Sequence, residues 1–222
     1  MRVVSLVPSV TETLLAWGIT PVAVTRFCEH PELPHVGGTK DPDIARIVAL
    51  APDLVVVNDE ENRKEDFDAL TRAGLTVHVV RIAGVDDVPI AMTALADAVA
   101  QDYVSPALLQ AVPQRVRAFV PIWRRPWMTM NRETYGSSLL ARLGVANVFA
   151  EADDRYPEIS LDEVPPADVV LAPSEPYPFS GRHEAELRAI APVRLVDGKD
   201  LFWWGVRTPG ALMRLTAQLS DL

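Results

Sequence analysis

Phe202-Trp203-Trp204-Gly205-Val206-Arg207 sets three consecutive aromatic residues and an arginine between what reads as the last strand and the last helix. Loops rarely commit that much aromatic surface to packing alone, so at least one ring is expected to face a ligand. The plainer alternative is that one tryptophan packs in the core and the other plugs a cleft. Ser174-Glu175-Pro176-Tyr177-Pro178-Phe179 is a second candidate, a proline-stiffened loop that offers Tyr177 and Phe179 beyond a strand. Tyr135 adds a further ring for a planar ligand. Asp59-Glu60-Glu61-Asn62 follows directly on a buried strand, where parallel sheets place their ligand sites, although acids at a helix start are also stabilised by the helix dipole. Within this run Glu60 is the binding candidate, and Lys40, Arg132 and Arg207 are suited to carboxylates on a ligand.

Metal ligation has fewer candidates. Cys28, with its neighbour Glu29, and His30 offer two or three ligands where a structural zinc site uses about four. His183 is the distant residue that could join them, and a buried cysteine beside a loop histidine is the simpler account. His35 and His78 read as surface or strand residues. The chain contains no Gly-x-Ser-x-Gly elbow, no His-Glu-x-x-His and no phosphate loop. Gly37-Gly38-Thr39-Lys40 shares only composition with the last of these and reads as a turn. No catalytic residue is assigned, no intrinsic cofactor is expected, and the reading is not that of an enzyme.

These residues must be positioned by an ordinary globular chain: 222 residues, 49% hydrophobic and 23% charged, with one cysteine and hence no intramolecular disulfide. The formal charge of −9, without any basic run, argues against nucleic-acid binding. Apolar runs such as Leu54–Val57 have strand length, far below the ~20 residues of a membrane span. Met1-Arg2 leads straight into Val3–Val7, which reads as a core strand and not as a signal peptide. The expected location is therefore periplasmic or extracytoplasmic if a signal was trimmed, and cytoplasmic otherwise.

Strands and helices alternate along the chain, which predicts an α/β fold with mainly parallel sheets. Val3–Val7 is followed by Pro8 and by Ser9-Val10-Thr11-Glu12, a capping-box pattern in which Ser9 would cap a helix ending at Gly18. Residues 27–40 read as a long loop. Asp43–Leu50 and Lys64–Ala73 read as helices, and Leu54–Asn58 and Thr76–Val80 as strands. Residues 86–119 read as a mostly helical, alanine-rich stretch without a strand, broken or kinked at Pro106 and Pro113. Beyond it, strands are expected at Trp127–Met130, Val169–Ala172 and Arg194–Val196, and helices at Tyr135–Leu143, Glu184–Ile190 and from Thr208-Pro209 onward. The domain expectation is an N-terminal lobe over 1–85, a helical connector over 86–120 and a C-terminal lobe over 121–222.

The halves echo each other: Leu15–Ile19 returns loosely as Arg142–Val145, and Pro52–Val56 as Pro166–Val170. Gly18 and Asp53 are 35 positions apart and Gly144 and Asp168 are 24 apart, so the first half carries 11 extra residues, assigned to the loop over 27–40. Two similar lobes predict a cleft between them that binds ligand.

Arg2–Glu12, Val36-Gly37-Gly38-Thr39, Ile44–Ile47 and Leu50–Val55, together with Gly144–Phe149, resemble over nearly the whole chain the class III solute-binding proteins for cobalamin, haem and ferric siderophores. Thr25–Pro31, Asn58–Asn62 and Ser174–Phe179 are similar to the cobalamin-binding-like subgroup called helical backbone metal receptors. The resemblance implies two Rossmann-like lobes, a rigid connecting helix and a ligand held between lobes that move little. It also implies an acidic residue on each lobe docking onto arginines of an ABC permease. Cobalamin binders carry an aromatic residue after the third strand, where this chain has Asp59-Glu60-Glu61, and acids there suit a cationic or metal-bearing ligand.

The function that follows is a monomeric binding protein for a corrinoid, haem-like compound or other metal chelate, probing its planar faces with Trp203, Trp204, Tyr177 and Tyr135. Phe179, Arg207, Glu60 and Lys40 complete the ligand set, with Cys28, His30 or His183 reaching the metal. An ABC permease is the expected protein partner. A cytoplasmic tetrapyrrole- or metal-handling chaperone or enzyme, using His30, His183 and Glu60, is the alternative. An interaction module with a plugged cleft is the third.

Overall fold

Val3, Val4 and Ser5 form the short buried strand β1 (Val3–Ser5), and Pro8 then opens helix α1 (Pro8–Ala16). Proline suits a first helical position because its fixed φ is helical and its missing N–H would have no partner there. The helix therefore begins one residue before the expected cap. Ser9 lies inside it, Val7 is the N-cap, and no side chain caps the end.

The computed structural model describes Met1–Asp221, which divide into two compact units. The first comprises Met1–Ile82 and Asp87–Ser105. After α1 it contains β2 (Ala23–Val24), α2 (Ile44–Ala49), β3 (Leu54–Asn58), α3 (Lys64–Arg72), β4 (Val77–Val80) and α4 (Val88–Ala98). Its sheet is parallel in the order β2-β1-β3-β4. Strand β3 is buried along its whole length, as a run of Leu and Val covered on both faces should be. Val55 and Val57 pack with Val4, Leu6, Ile47 and Leu70, each such side chain stabilising the fold by roughly 1.5–3 kcal/mol.

The second unit comprises Ala83–Asp86 and Pro106–Leu222, with the last residue outside the described range. It contains β5 (Val116–Phe119), β6 (Trp127–Met128), α5 (Tyr135–Arg142), β7 (Val145–Asn147), β8 (Glu158–Ile159), β9 (Val169–Pro173), α6 (Glu184–Leu187), β10 (Val193–Val196), α7 (Gly198–Phe202) and α8 (Thr208–Gln218). The main sheet is parallel in the order β10-β9-β5-β7. Read from its other edge, this is the same second-first-third-fourth order as the first sheet. Each unit is a Rossmann-like α/β layer.

The sequence echoes occupy matching places. Gly18 and Gly144 each follow the helix before the second strand of their sheet, both at φ 76°. Asp53 and Asp168 each precede the third strand. Asp53 Oδ2 accepts from the Arg2 N–H at 2.6 Å, and Asp168 Oδ2 accepts from the Arg117 N–H at 2.7 Å, so the same side chain ties first to third strand twice.

Two expectations are corrected. Residues 86–119 do include a strand, β5, which pairs with both β7 and β9. Only Val88–Ala98 of this stretch is α-helical, and 99–115 form no regular element. Pro106 and Pro113 leave too few residues between them to sustain a helix. The strand expected at Trp127–Met130 does not join the parallel sheet. It shortens to β6, which pairs antiparallel with β8 in a separate ribbon. The long loop over 27–40 is irregular as expected, tied down by the bridges Val24–His35 and Gly37–Pro42.

Candidate functional site

In open parallel sheets ligands bind at the carboxyl ends of strands where the strand order reverses. In the first unit that point lies between β1 and β3, and Asn58 and Asn62 build it. Asn58 Oδ1 accepts from the N–H groups of Glu60 and Glu61 at 2.9 and 3.0 Å, folding the acidic run back over the end of β3. Asn62 Oδ1 accepts from Asn58 N–H at 2.8 Å, and its Nδ2 donates to Leu6 O at 3.3 Å and Thr39 O at 2.9 Å. One buried amide thus joins the ends of β1 and β3 to the glycine loop. Lys40, exposed, donates to Glu60 O at 2.6 Å.

Glu61 is the unusual group of this edge. Its side chain keeps some exposure, yet the protein packed round it pushes its carboxyl up to about 7, helped by the charge of Glu60 and opposed by Lys40. Replacing Asn62 by alanine would strand the buried Asn58 N–H, and a loss of about 2 kcal/mol is expected. Urea denaturation measures it, and a loss below about 0.5 kcal/mol would contradict the bridging role.

In the second unit the switch point lies between β5 and β9, and three loops gather there. Tyr177 and Phe179, after β9, have ring centroids 4.7 Å apart, and Phe179 stacks on Trp127 at 5.9 Å and 7°. Trp123, after β5 and 43% exposed, meets Tyr177 edge-on at 5.6 Å. The loop after β10 adjoins them. Gly198 N–H donates to Ser174 Oγ at 2.9 Å, and Trp203 Nε1 donates to Glu175 at 3.1 Å. Trp203 is half-buried, with Lys199 Nζ 5.1 Å and the Arg207 guanidinium 5.9 Å from its ring centre.

Other members of the expected set stand behind this wall. Trp204, Phe179 and Tyr135 are each 5% exposed. Tyr135 Oη is 2.9 Å from Thr208 Oγ1, and burial pushes its phenol well above the usual range. Arg207 is held at 2.9 Å by Asp200, which Arg214 also grips at 2.6 Å. Burial pushes the Asp200 carboxyl up, but the two guanidiniums outweigh it and hold it below the usual range. Of the aromatics expected to meet a ligand, Trp203 and Tyr177 therefore retain accessible ring.

No protein-family model matches the chain. The vitamin B12-binding protein of Salmonella paratyphi A is 27% identical over 180 residues, covering 73% of this chain and 68% of that protein. Among solved structures, the periplasmic vitamin B12 binding protein BtuF of Vibrio cholerae superposes with a TM-score of 0.80 at 20% identity, covering 99% of this chain and 96% of that one. The periplasmic heme-binding protein BhuT in complex with two hemes gives 0.78 at 22% identity, covering 99% and 98%. The chain is thus similar in sequence to a vitamin B12-binding protein and shares its fold with periplasmic vitamin B12- and heme-binding proteins. The shared fold fixes the paired Rossmann-like units and leaves recognition to this chain's own edge residues.

The residues expected to reach a metal each have a partner within their own unit. Cys28 is buried, its Sγ 3.2 Å from Thr11 Oγ1 and 3.4 Å from Thr25 Oγ1. His30 Nδ1 lies 2.9 Å from Glu32. His183 is buried in the aromatic cluster. Its Nδ1 accepts from Ser180 N–H at 3.1 Å, and burial, with Arg182 and Arg124 nearby, pushes its pKa down. Among the described residues no group of three or more His, Cys, Asp or Glu is placed to hold a metal ion.

Sequence reasoning marked the run Asn58–Asn62 but took Glu60 from it as the binding residue, and it passed over Trp123 and Asp200. The stretch Trp123-Arg124-Arg125-Pro126-Trp127 carried the same aromatic and proline signature as Ser174–Phe179 and was the signal available for Trp123. Asn62 Nδ2 reaches Leu6 and Thr39, and Asp200 reaches Arg207 and Arg214, partners that no local pattern marks.

Proposed function

We propose that this chain is a solute-binding protein for a corrinoid, a haem-like compound or another metal chelate, delivering it to an ABC importer. The observation that carries the reading is the aromatic edge of the second sheet, where Trp123 meets Tyr177, and Trp203, with Lys199 at its ring, is tied to Glu175 two residues before Tyr177. Flat apolar rings next to an ammonium group suit a planar macrocycle with an acidic substituent. The vitamin B12-binding relative and the heme-binding structural neighbour support the same ligand class. The first sheet's own edge carries a proton-sensitive carboxyl, Glu61, and a cation, Lys40.

A binding role without catalysis, an extracytoplasmic location, a monomeric state and a permease partner belong to this proposal. Among the described residues no helix is long and apolar enough to cross a membrane. The second reading, a tetrapyrrole- or metal-handling chaperone or enzyme, is favoured by Glu61 alone, since a carboxyl near neutrality is suited to moving protons.

Titrating the fluorescence of the five tryptophans with cobalamin, cobinamide, haem and a ferric siderophore tests both. Saturable quenching by one of them below about 10 μM, near −7 kcal/mol, is expected, and Trp203→Ala is expected to weaken it at least about tenfold. Chemical change of a bound tetrapyrrole would favour the second reading, and no response to any of the four would overturn the ligand class.

A further inference from the structure

A cavity of about 480 Å³ opens in the second unit against α5, and neither Trp203 nor Tyr177 lines it. Its walls are largely small and apolar, from Val85, Ala111, Ala141, Ala146 and Ala150, so no large side chain fills the space. Its polar lining is unbalanced. Ser138 Oγ accepts from Val85 N–H at 3.0 Å and Ser137 Oγ accepts from Asn147 Nδ2 at 2.7 Å, and neither hydroxyl donates to another described group. Arg132 uses only Nη1, on Glu151 at 2.7 Å. Arg142 donates from Nη1 to Leu109 O at 2.7 Å and from Nη2 to Asp86. Its Nε–H is buried and has no acceptor among the described residues.

The acceptor side is already used. Asn147 Oδ1 takes the Phe149 N–H at 3.0 Å, and Asp86, the acid in the lining, faces Arg142. Spare donors on two hydroxyls and two guanidiniums, set in apolar walls, call for a molecule that brings acceptors and an apolar body. The volume lies in the range of small-ligand pockets and exceeds what a bare inorganic anion would fill.

We propose that this cavity binds a small apolar carboxylate, with its oxygens received by Ser137, Ser138 and the guanidiniums and its body against the alanines. The site is independent of the aromatic edge and of the chelate-binding reading. Benzoate is the probe, with benzylamine as the isosteric cation that offers donors only. In ¹H–¹⁵N spectra of the full chain, benzoate is expected to cause saturable shifts centred on 137–150 below about 10 mM, and benzylamine none. Ser138→Ala is expected to weaken benzoate about fivefold. Ala146→Leu fills the space from the wall and is expected to abolish binding, while its folded spectrum and an unchanged chelate titration show that the chain is intact. Absence of saturable shifts, shifts centred elsewhere, equal binding of benzylamine, or unaltered benzoate affinity in folded Ala146→Leu would each overturn the proposal.

Discussion

Replacing Asp200 by alanine is expected to cost about 3–5 kcal/mol of stability, lowering Tm by roughly 10 °C. The side chain of Asp200 is 4% exposed and receives three charge-assisted bonds, one from Arg207 and two from Arg214. Removing it breaks three charge-assisted bonds at a buried position and takes from Arg207, 19% exposed, and Arg214, 55% exposed, the carboxylate they share. Because Arg207 also lies over Trp203, the variant should loosen the aromatic edge as well. Denaturant melts at pH 7 measure the loss, and a change under about 1 kcal/mol would refute the account. The pH dependence has a definite sign. The folded carboxyl is held below its ordinary 3.8, so its contribution is present above that pH and is lost as pH falls through the folded value. Between pH 5 and 8 the difference between wild type and variant should be flat.

Glu61→Gln is expected to stabilise the chain by up to about 3 kcal/mol at pH 8 and by almost nothing near pH 4.5. In the folded chain the carboxyl titrates at about 7 against an ordinary 4.5, chiefly because it is packed within protein and also because Glu60 is near. The folded state therefore holds a proton that the unfolded chain has released. Stability falls as pH rises through that interval, and the full penalty is reached once pH exceeds the folded value. His78 and His183, both shifted down, act with the opposite sign below their ordinary 6.5, so the test is the difference between variant and wild type and not the wild-type curve. Parallel stability curves for the two proteins from pH 5 to 8 would exclude a displaced Glu61. Under the proposed function, a cationic or metal-bearing ligand near this carboxyl would be bound with proton release, an effect that the glutamine variant should lack.

Much of the fold was legible because the signals are local. Runs such as Leu54–Asn58 must be buried on both faces, Asp43 accepts the Arg46 N–H to cap α2, and Gly18, Gly74 and Gly144 end helices where a positive φ is required. The echo of Gly18 and Asp53 in Gly144 and Asp168 predicted two similar lobes, and the two sheets share one strand order. β5 was missed because its four residues follow Pro113 without a turn signal and pair with strands much later in the chain. The shortened β6 was misassigned because an apolar pair reads alike in a main sheet and in a small ribbon.

The site divides in the same way. Sequence alone determined the chemistry on offer: aromatic rings in proline-stiffened loops, acids after a buried strand, and no nucleophile or phosphate motif. Tertiary structure decided which of those groups stay available. It buried Trp204 and Tyr135, tied Arg207 to Asp200, enclosed Cys28 between two threonine hydroxyls, and left Trp203, Tyr177 and Glu61 at the carboxyl edges. The physical reason is that a residue's type sets what it can bind, whereas its exposure and its existing hydrogen bonds set whether it is free to do so. Both depend on partners that only folding brings near: 200 finds 214, 62 finds 6, and 177 finds 123.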